Sequence, residues 1–387
     1  MQVKLGYFLF FYVFLYMANA VYGTFIPLYF QHIGFTQAQI GTLLGLGPLI
    51  AILAQPVWGL FSDRAKTKNS ILLLLIGCSG LTVMFYPLSD QFFYLLICIC
   101  IFTFFQSSIF AIGDAVTLET LDKRGRGNFS LIRMGGTFGF AIMSIIFGLL
   151  AKKHIDLLFV VYAFLLAITL LLVLRFPAIE GHQARNRKMS VWVLFRNRKL
   201  MMYIGANFVF NITLGYYYAF FPLYFKEMGG DSAWLGWSML ISSLSEVPFL
   251  LLSHHLFRRV QTWHILLGAG AAAALRWFLF SQIHSAAWLL PAQALHGLIF
   301  IVLSVTLANV INKEVPNELK ASGQTLNGLL TMGVARVIGS LAGGVASEWF
   351  GMRNMFFYNS VLTLVCVVIF AIVFKLQQNK ETAVLHA

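Results

Sequence analysis

The sequence predicts an all-α polytopic membrane protein: twelve transmembrane helices in two pseudo-symmetric six-helix halves. Three observations predict it. Of 387 residues, 59 % are hydrophobic and only 11 % are charged, against roughly a quarter charged in an ordinary soluble domain. Twelve apolar runs reach the length of about 20 residues that a helix needs to cross the hydrocarbon core. A ten-residue motif near the start also returns in the second half of the chain.

The runs lie at about 7–30, 38–60, 70–88, 92–114, 130–150 and 156–176, then 200–225, 233–257, 263–282, 287–310, 321–346 and 353–375. They are numbered spans 1 to 12 below. The first follows Lys4 and lacks a small-residue cleavage site, so it reads as a retained span rather than a removed signal. Segments such as FVVYAFLLAITLLLVL do not alternate, which excludes a β-barrel. All four cysteines (Cys78, Cys98, Cys100, Cys366) fall in apolar runs and read as buried free thiols.

Net charge is +13, but its distribution speaks for a membrane, not nucleic acid. With both termini cytoplasmic, cytoplasmic segments hold 20 of the 27 Lys and Arg, and the outer loops hold four: Lys152, Lys153, Lys226 and Arg353. That is the positive-inside bias. It places the chain in the cell's inner (plasma) membrane, with the lipid bilayer as its main surroundings. No soluble basic domain is present to bind RNA or DNA.

The segment 177–199 holds six Lys or Arg and one acid. It reads as a cytoplasmic central loop between an N-terminal bundle, 1–176, and a C-terminal bundle with a short tail, 200–387. The repeat agrees. FIPLYFQHIG (Phe25 to Gly34) falls on FFPLYFKEMG (Phe220 to Gly229), a shift of 195 with six of ten positions identical. Ala38 with Ala233 and Gly41 with Gly236 extend the register. Two halves in the same orientation are the parallel repeat of one transporter architecture.

Between spans 2 and 3, GLFSDRAKTK (Gly59 to Lys68) resembles the major facilitator superfamily signature G-x-x-x-D-R-x-x-x-[RK]. The resemblance extends over the whole chain. It implies the major facilitator fold and a conformational-switch loop at Gly59, Asp63 and Arg64. Gly59 is expected to permit close helix contact, and Asp63 to cap a helix or pair with a base. The matching second-half segment, near His254 to Arg259, lacks the Gly and Asp.

Ionisable residues inside spans cost about 2.5–3.5 kcal/mol each on insertion scales, so they are expected to face the interior. Asp114 and Glu119 close span 4, and Arg133 opens span 5. Glu246 lies in span 8, Arg276 in span 9, His296 in span 10 and Arg336 in span 11. They read either as ion pairs that fix packing or as a transport site. Glu119, four residues before Lys123, reads as a helix-end surface pair.

The order of these residues resembles lactose permease and, more closely, the phenylpropionate-permease-like branch, with the nucleoside–proton symporters similar in outline. The shared pieces here are Gly113-Asp114-Ala115, Arg133 to Gly136, Glu246-Val247, Arg276-Trp277 and Leu295-His296. The resemblance implies that Asp114, Arg133, Glu246, Arg276 and His296 form a proton-coupling set. Two positions depart from it. Lactose permease has an acid three residues after the span 10 His, where this chain has Ile299. Arg336 stands in a Gly- and Ala-rich helix where relatives have small residues; it either neutralises an acid or contacts an anionic solute.

Polar residues recur at helical spacing. Gln106, Phe110 and Asp114 share a face of span 4 if the helix is continuous, and Gln293, His296 and Phe300 do so in span 10. Asn19, Gln106, Asn211, Gln293, Asn327 and Arg336 are the candidate solute contacts, with Tyr12, Tyr16, Asn207 and Tyr218 nearby. Amides and aromatic rings suit a sugar, a nucleoside or an aromatic acid. The expected activity is secondary active transport of such a small organic solute, by proton symport and alternating access, in a monomer without cofactor or metal. Proton-coupled efflux is the alternative, and the absence of an Arg in span 4 and a Pro in span 5 favours import. A membrane enzyme would need a motif such as DxD, HExxH or GxSxG, none of which occurs.

Overall fold

In hydrocarbon a backbone has to satisfy its own polar groups, so each apolar run becomes a helix. The computed structural model describes residues 5–124, 129–180, 192–316 and 319–385. The chain folds as twelve spans. Span 1 is Gly6–His32, span 2 Gln37–Arg64, span 5 Phe129–Ala151 and span 6 Leu158–Val173. Span 7 is Arg198–Glu227, span 9 Thr262–Gln282 and span 12 Met352–Leu385. The central part of the connecting loop, 181–191, lies outside the described residues.

Eleven of the spans are long and apolar enough to cross a membrane by composition alone. The twelfth, span 7, falls short of that measure because it carries Asn207, Asn211 and three consecutive tyrosines. It is a central helix with most of its side chains buried against protein, so it does not need a lipid-compatible surface.

The other five spans are interrupted. Span 3 (Lys68–Thr82) ends in a tight turn, Val83–Leu88, that contains Pro87. Span 4 is two helices, Phe92–Gln106 and Ile109–Arg124. Span 2 takes up carbonyls near the gap: Trp58 Nε1 donates to Phe104 O at 2.8 Å and Gln55 Nε2 to Ser107 O at 3.3 Å. Phe110 and Asp114 share a face of the second helix, but Gln106, at the end of the first, is not on one continuous helical face with them as the spacing alone predicted.

Span 8 breaks at Ser245 into Ser232–Leu244 and Glu246–Arg259. Pro248 has no N–H to bond the Leu244 carbonyl, which accounts for the break. Span 10 runs Ala286–Gln293, then a 3₁₀ stretch Ala294–Leu298, then Phe300–Glu314. Span 11 runs Lys320–Gly328, a wide π turn Leu329–Val334, then Ala335–Phe350.

The 195-residue shift holds in three dimensions. Span 1 and span 7 both end at a glycine in the left-handed region, Gly34 with φ 93° and Gly229 with φ 83°. Each next span is then capped at the equivalent position: Thr36 accepts the Gln39 N–H at 3.3 Å, and Asp231 accepts the Trp234 N–H at 2.9 Å.

Gly41 and Gly236 are equivalent too. A Cβ on Gly41 would strike Ser340 and Gly344 of span 11, and one on Gly236 would strike Ser144 and Ile145 of span 5. Spans 2 and 11, and spans 5 and 8, thus cross at backbone contact, each pair joining the two halves. Both crossings lie at the end of the bundle remote from the chain termini. Lys152 Nζ to Asp231 Oδ2 at 2.9 Å and Ala38 N–H to Glu348 Oε1 at 3.0 Å reinforce that end.

Towards the termini the fit loosens. A Cβ on Gly59 or on Gly328 would meet open space. The expected close helix contact at Gly59 is therefore absent. Asp63 and Arg64 make no ion pair among the described residues. The signature-loop residue that reaches across is Lys68, whose Nζ lies 3.0 Å from Glu119 Oε2. Glu119 also pairs with Lys123 at 3.4 Å, so it ties helix ends together.

Candidate functional site

The charged residues inside the spans gather into three groups in the middle of the bundle. In the first half, Arg133 Nη1 lies 3.4 Å from Asp114 Oδ2. Tyr12 of span 1 donates to Asp114 Oδ1 at 2.6 Å, and Arg133 Nε donates to Tyr16 Oη at 3.4 Å. The two tyrosines sit one helical turn apart, so span 1 grips both members of the pair. Asp114 is 22 % exposed and Arg133 46 %, which leaves the pair open to a solute.

The second group is deeper. Arg276 is fully buried. Its Nη1 lies 2.9 Å from His296 Nδ1, and its Nη2 donates to Gln293 Oε1. Its guanidinium sits 4.3 Å from the Tyr217 ring centroid. Arginine can only donate, so His296 Nδ1 must accept. The ring is therefore neutral, with its proton on Nε2. That nitrogen lies 3.5 Å from Glu246 Oε1 and 3.3 Å from Tyr218 Oη. Arg276 and Glu246 do not touch directly; the imidazole relays one to the other.

Gln293 is engaged mainly by protein. It is fully buried, and three of its four hydrogen-bonding positions are taken: Oε1 accepts from Arg276 and from the Tyr217 hydroxyl at 3.1 Å, and Nε2 donates to Ser238 at 2.6 Å. It positions Arg276. Asn211 and Asn327 also bond to protein, although Asn211 Oδ1 is buried without a partner. Asn211 Nδ2 donates to Asn207 O and Oδ1 at 2.9 and 3.0 Å, and Asn207 Nδ2 donates to Asn327 Oδ1 at 3.4 Å. This amide chain ties span 7 to span 11. Asn19 and Gln106 are half-buried and make no side-chain hydrogen bond among the described residues, so they keep their capacity for a solute.

The third group is Arg336 alone. It follows the π turn of span 11, and span 7 approaches it closely because Gly215 leaves room for its backbone. The guanidinium lies over Tyr218, 4.7 Å from the ring centroid. No carboxylate of a described residue comes within ion-pair distance of it.

Two cavities, of about 300 and 320 Å³, lie away from these charges. One is beside Lys152 and Asp231, the other beside Tyr203 and Trp263. The site is thus located by its charges and by the helix breaks that carry them. Sequence reasoning missed Tyr217, Ser238, Ser245 and Gly297. Pro248 was the available signal for the break at Ser245.

A family model described as the MFS_1 like family matches residues 3–358. The chain belongs to that family. This major facilitator protein is a multi-pass membrane transporter of small solutes, not an enzyme. It is 22 % identical over 380 residues to the uncharacterized transporter YwbF of Bacillus subtilis (strain 168), covering 96 % of this chain and 94 % of that one. It is 23 % identical over 347 residues to the maltose permease of Geobacillus stearothermophilus, covering 88 % and 87 %. Among solved structures, the nucleoside transporter NupG superposes with a TM-score of 0.85 at 18 % identity, covering 97 % of this chain and all of that one. At that identity the likeness concerns the fold.

Proposed function

We propose that this transporter is a proton-coupled symporter that imports a small organic solute by alternating access. It acts as a monomer in the inner (plasma) membrane with both termini cytoplasmic. The bundles 1–176 and 200–387 are the moving bodies, and the loop 177–199 joins them. With that orientation, the crossings at Gly41 and Gly236 close the outer side, and the loosened packing at Gly59 and Gly328 opens the cytoplasmic side. The relatives support solute transport: one is named a maltose permease and one structural neighbour a nucleoside transporter.

The observation that carries the coupling is the relay Arg276–His296–Glu246. His296 is already committed as an acceptor to Arg276, so Glu246 is the group that takes the proton. Protonation removes the charge that His296 Nε2–H faces. The imidazole and Arg276 are then free to change contacts as the halves rock. Asp114 with Arg133 performs the equivalent exchange in the first half, and Asn19 and Gln106 contribute polar contacts to the solute.

The test is proton movement into liposomes that hold the protein and a pH-sensitive dye, challenged with saccharides, nucleosides and organic acids. Internal acidification triggered by one class, and lost in Glu246→Gln, supports symport through Glu246. Accumulation that stays proton-driven in Glu246→Gln refutes the relay.

A further inference from the structure

The charges inside the spans do not cancel. Asp114 balances Arg133, and Glu246, through neutral His296, balances Arg276. Arg336 is left over. Its Nε is buried without any hydrogen-bond partner, and among the described residues its only close neighbour of opposite polarity is the face of Tyr218. A ring face is a weak substitute for a carboxylate at this depth. The site with both acids ionised therefore carries a net charge of +1, concentrated at Arg336.

We propose that the transported solute is an organic monoanion, and that Arg336, with Tyr218 beside it, receives its carboxylate. This rests on the transport reading above and narrows it, setting a carboxylic acid against the neutral sugars and nucleosides. The chemistry matches. Guanidinium and carboxylate are planar and pair through two parallel N–H···O bonds. One negative charge brings the site to neutrality, where a neutral sugar or nucleoside would leave Arg336 uncompensated.

The position also matches. Tyr218 connects the two functions, since its ring lies under Arg336 while its hydroxyl is 3.3 Å from His296 Nε2. A carboxylate at Arg336 thus sits one side chain away from the relay that faces Glu246. Solute binding and proton binding are adjacent without sharing an atom. Phe300, whose ring stacks on His296 at an interplanar angle of 10°, provides an apolar surface beside them.

The test is equilibrium binding to the purified full-length protein, with no proton gradient, so that it is independent of transport. The probes are benzoate and hexanoate, their uncharged amides benzamide and hexanamide, and the neutral solutes uridine and maltose. Wild-type protein is expected to bind at least one carboxylate and to reject its amide by about tenfold or more, the discrimination a charged bidentate contact supplies. Arg336→Gln should abolish that discrimination. Arg336→Lys, which keeps the charge but not the planar fork, should keep the preference with weaker affinity.

The acid–amide comparison needs no variant, so a misfolded Arg336→Gln protein leaves the proposal open to refutation. Equal binding of acid and amide overturns it. So does carboxylate binding that Arg336→Gln leaves intact, binding of uridine or maltose alone, or no carboxylate binding at all. Arg336-dependent carboxylate binding without proton-driven uptake in liposomes would uphold the anion and reject the symport reading, which separates the two.

Discussion

The backbone N–H of Gly297 donates to Ser245 Oγ at 2.8 Å, and a Cβ on Gly297 would overlap the Ser245 carbonyl. Spans 8 and 10 therefore touch at their two irregular points, the break after Leu244 and the 3₁₀ turn around His296. This contact sets Glu246 opposite His296. The relay is a product of two broken helices pressed together, not of regular helix faces.

Gly297→Ala is expected to push the two breaks apart. Overpacking of this kind costs roughly 1–3 kcal/mol. The variant should unfold earlier in a detergent thermal melt and should lose proton-coupled uptake. Ser245→Ala removes two hydrogen bonds, the one accepted from Gly297 N–H and the one donated to Ser242 O at 2.6 Å, each worth about 1 kcal/mol, and should retain most of the uptake because the backbone contact stays. Wild-type uptake in Gly297→Ala would show that the contact is dispensable.

His296 is expected to act as a neutral relay, so its replacement by an amide should be tolerated. In His296→Gln the carbonyl can accept from Arg276 and the NH₂ group can donate towards Glu246. The pH profile of uptake should keep its midpoint. His296→Leu leaves a buried donor of Arg276 unpaired, at about 1–3 kcal/mol, and should inactivate the protein. A profile that changes shape in His296→Gln would make His296 the titrating group.

Much of this was legible in the sequence, and the part that was not has a physical cause. Apolar length and the Phe25-to-Gly34 repeat are local properties of the chain, and they lead directly to twelve spans in two equivalent halves. The charged residues stood out because hydrocarbon penalises them wherever they sit. Their partners were harder to assign. Helical spacing put Gln293 in line for a solute but could not show that Arg276, Tyr217 and Ser238 take three of its amide's four hydrogen-bonding positions. Spacing also assumed unbroken helices in spans 4, 8, 10 and 11, and each has a break near its charge. Gly59 looked like a packing residue, yet a Cβ there would meet nothing, because contact at that point depends on how distant spans approach, which the local sequence does not encode.

Gly41→Leu is expected to shift the resting conformation. Gly41 abuts Ser340, Gly344 and Phe220 where spans 2 and 11 cross, and under the alternating-access mechanism proposed above that crossing exists only while the outer side is closed. An overpacking cost of roughly 1–3 kcal/mol applied to one state displaces a two-state equilibrium about 5- to 150-fold. Spin labels at the outer ends of spans 2 and 11 should move apart, and uptake should fall accordingly. Gly236→Leu, the equivalent position of the other half, should do the same between spans 8 and 5. Unchanged label distances in both variants would remove the crossings as the outer closure.

The ion pair Lys152–Asp231 is expected to be constant over the pH range in which coupling operates. The Trp234 backbone N–H, and then the Lys152 ammonium, hold the Asp231 carboxyl below the ordinary value of 3.8. A carboxyl depressed on folding contributes fully above its ordinary value and loses that contribution only as pH falls through the lowered one. Between about pH 5 and 8 the Asp231 carboxylate therefore stays ionised. Asp231→Asn keeps a good N-cap for span 8 and removes only the charge. Because both side chains are substantially exposed, uptake should change by about fivefold at most, the ceiling for such a pair. The ratio of variant to wild-type rates should be flat across that range in initial-rate measurements. A ratio that slopes with pH would mean that the outer closure itself senses protons, and that Glu246 is not the sole coupling group.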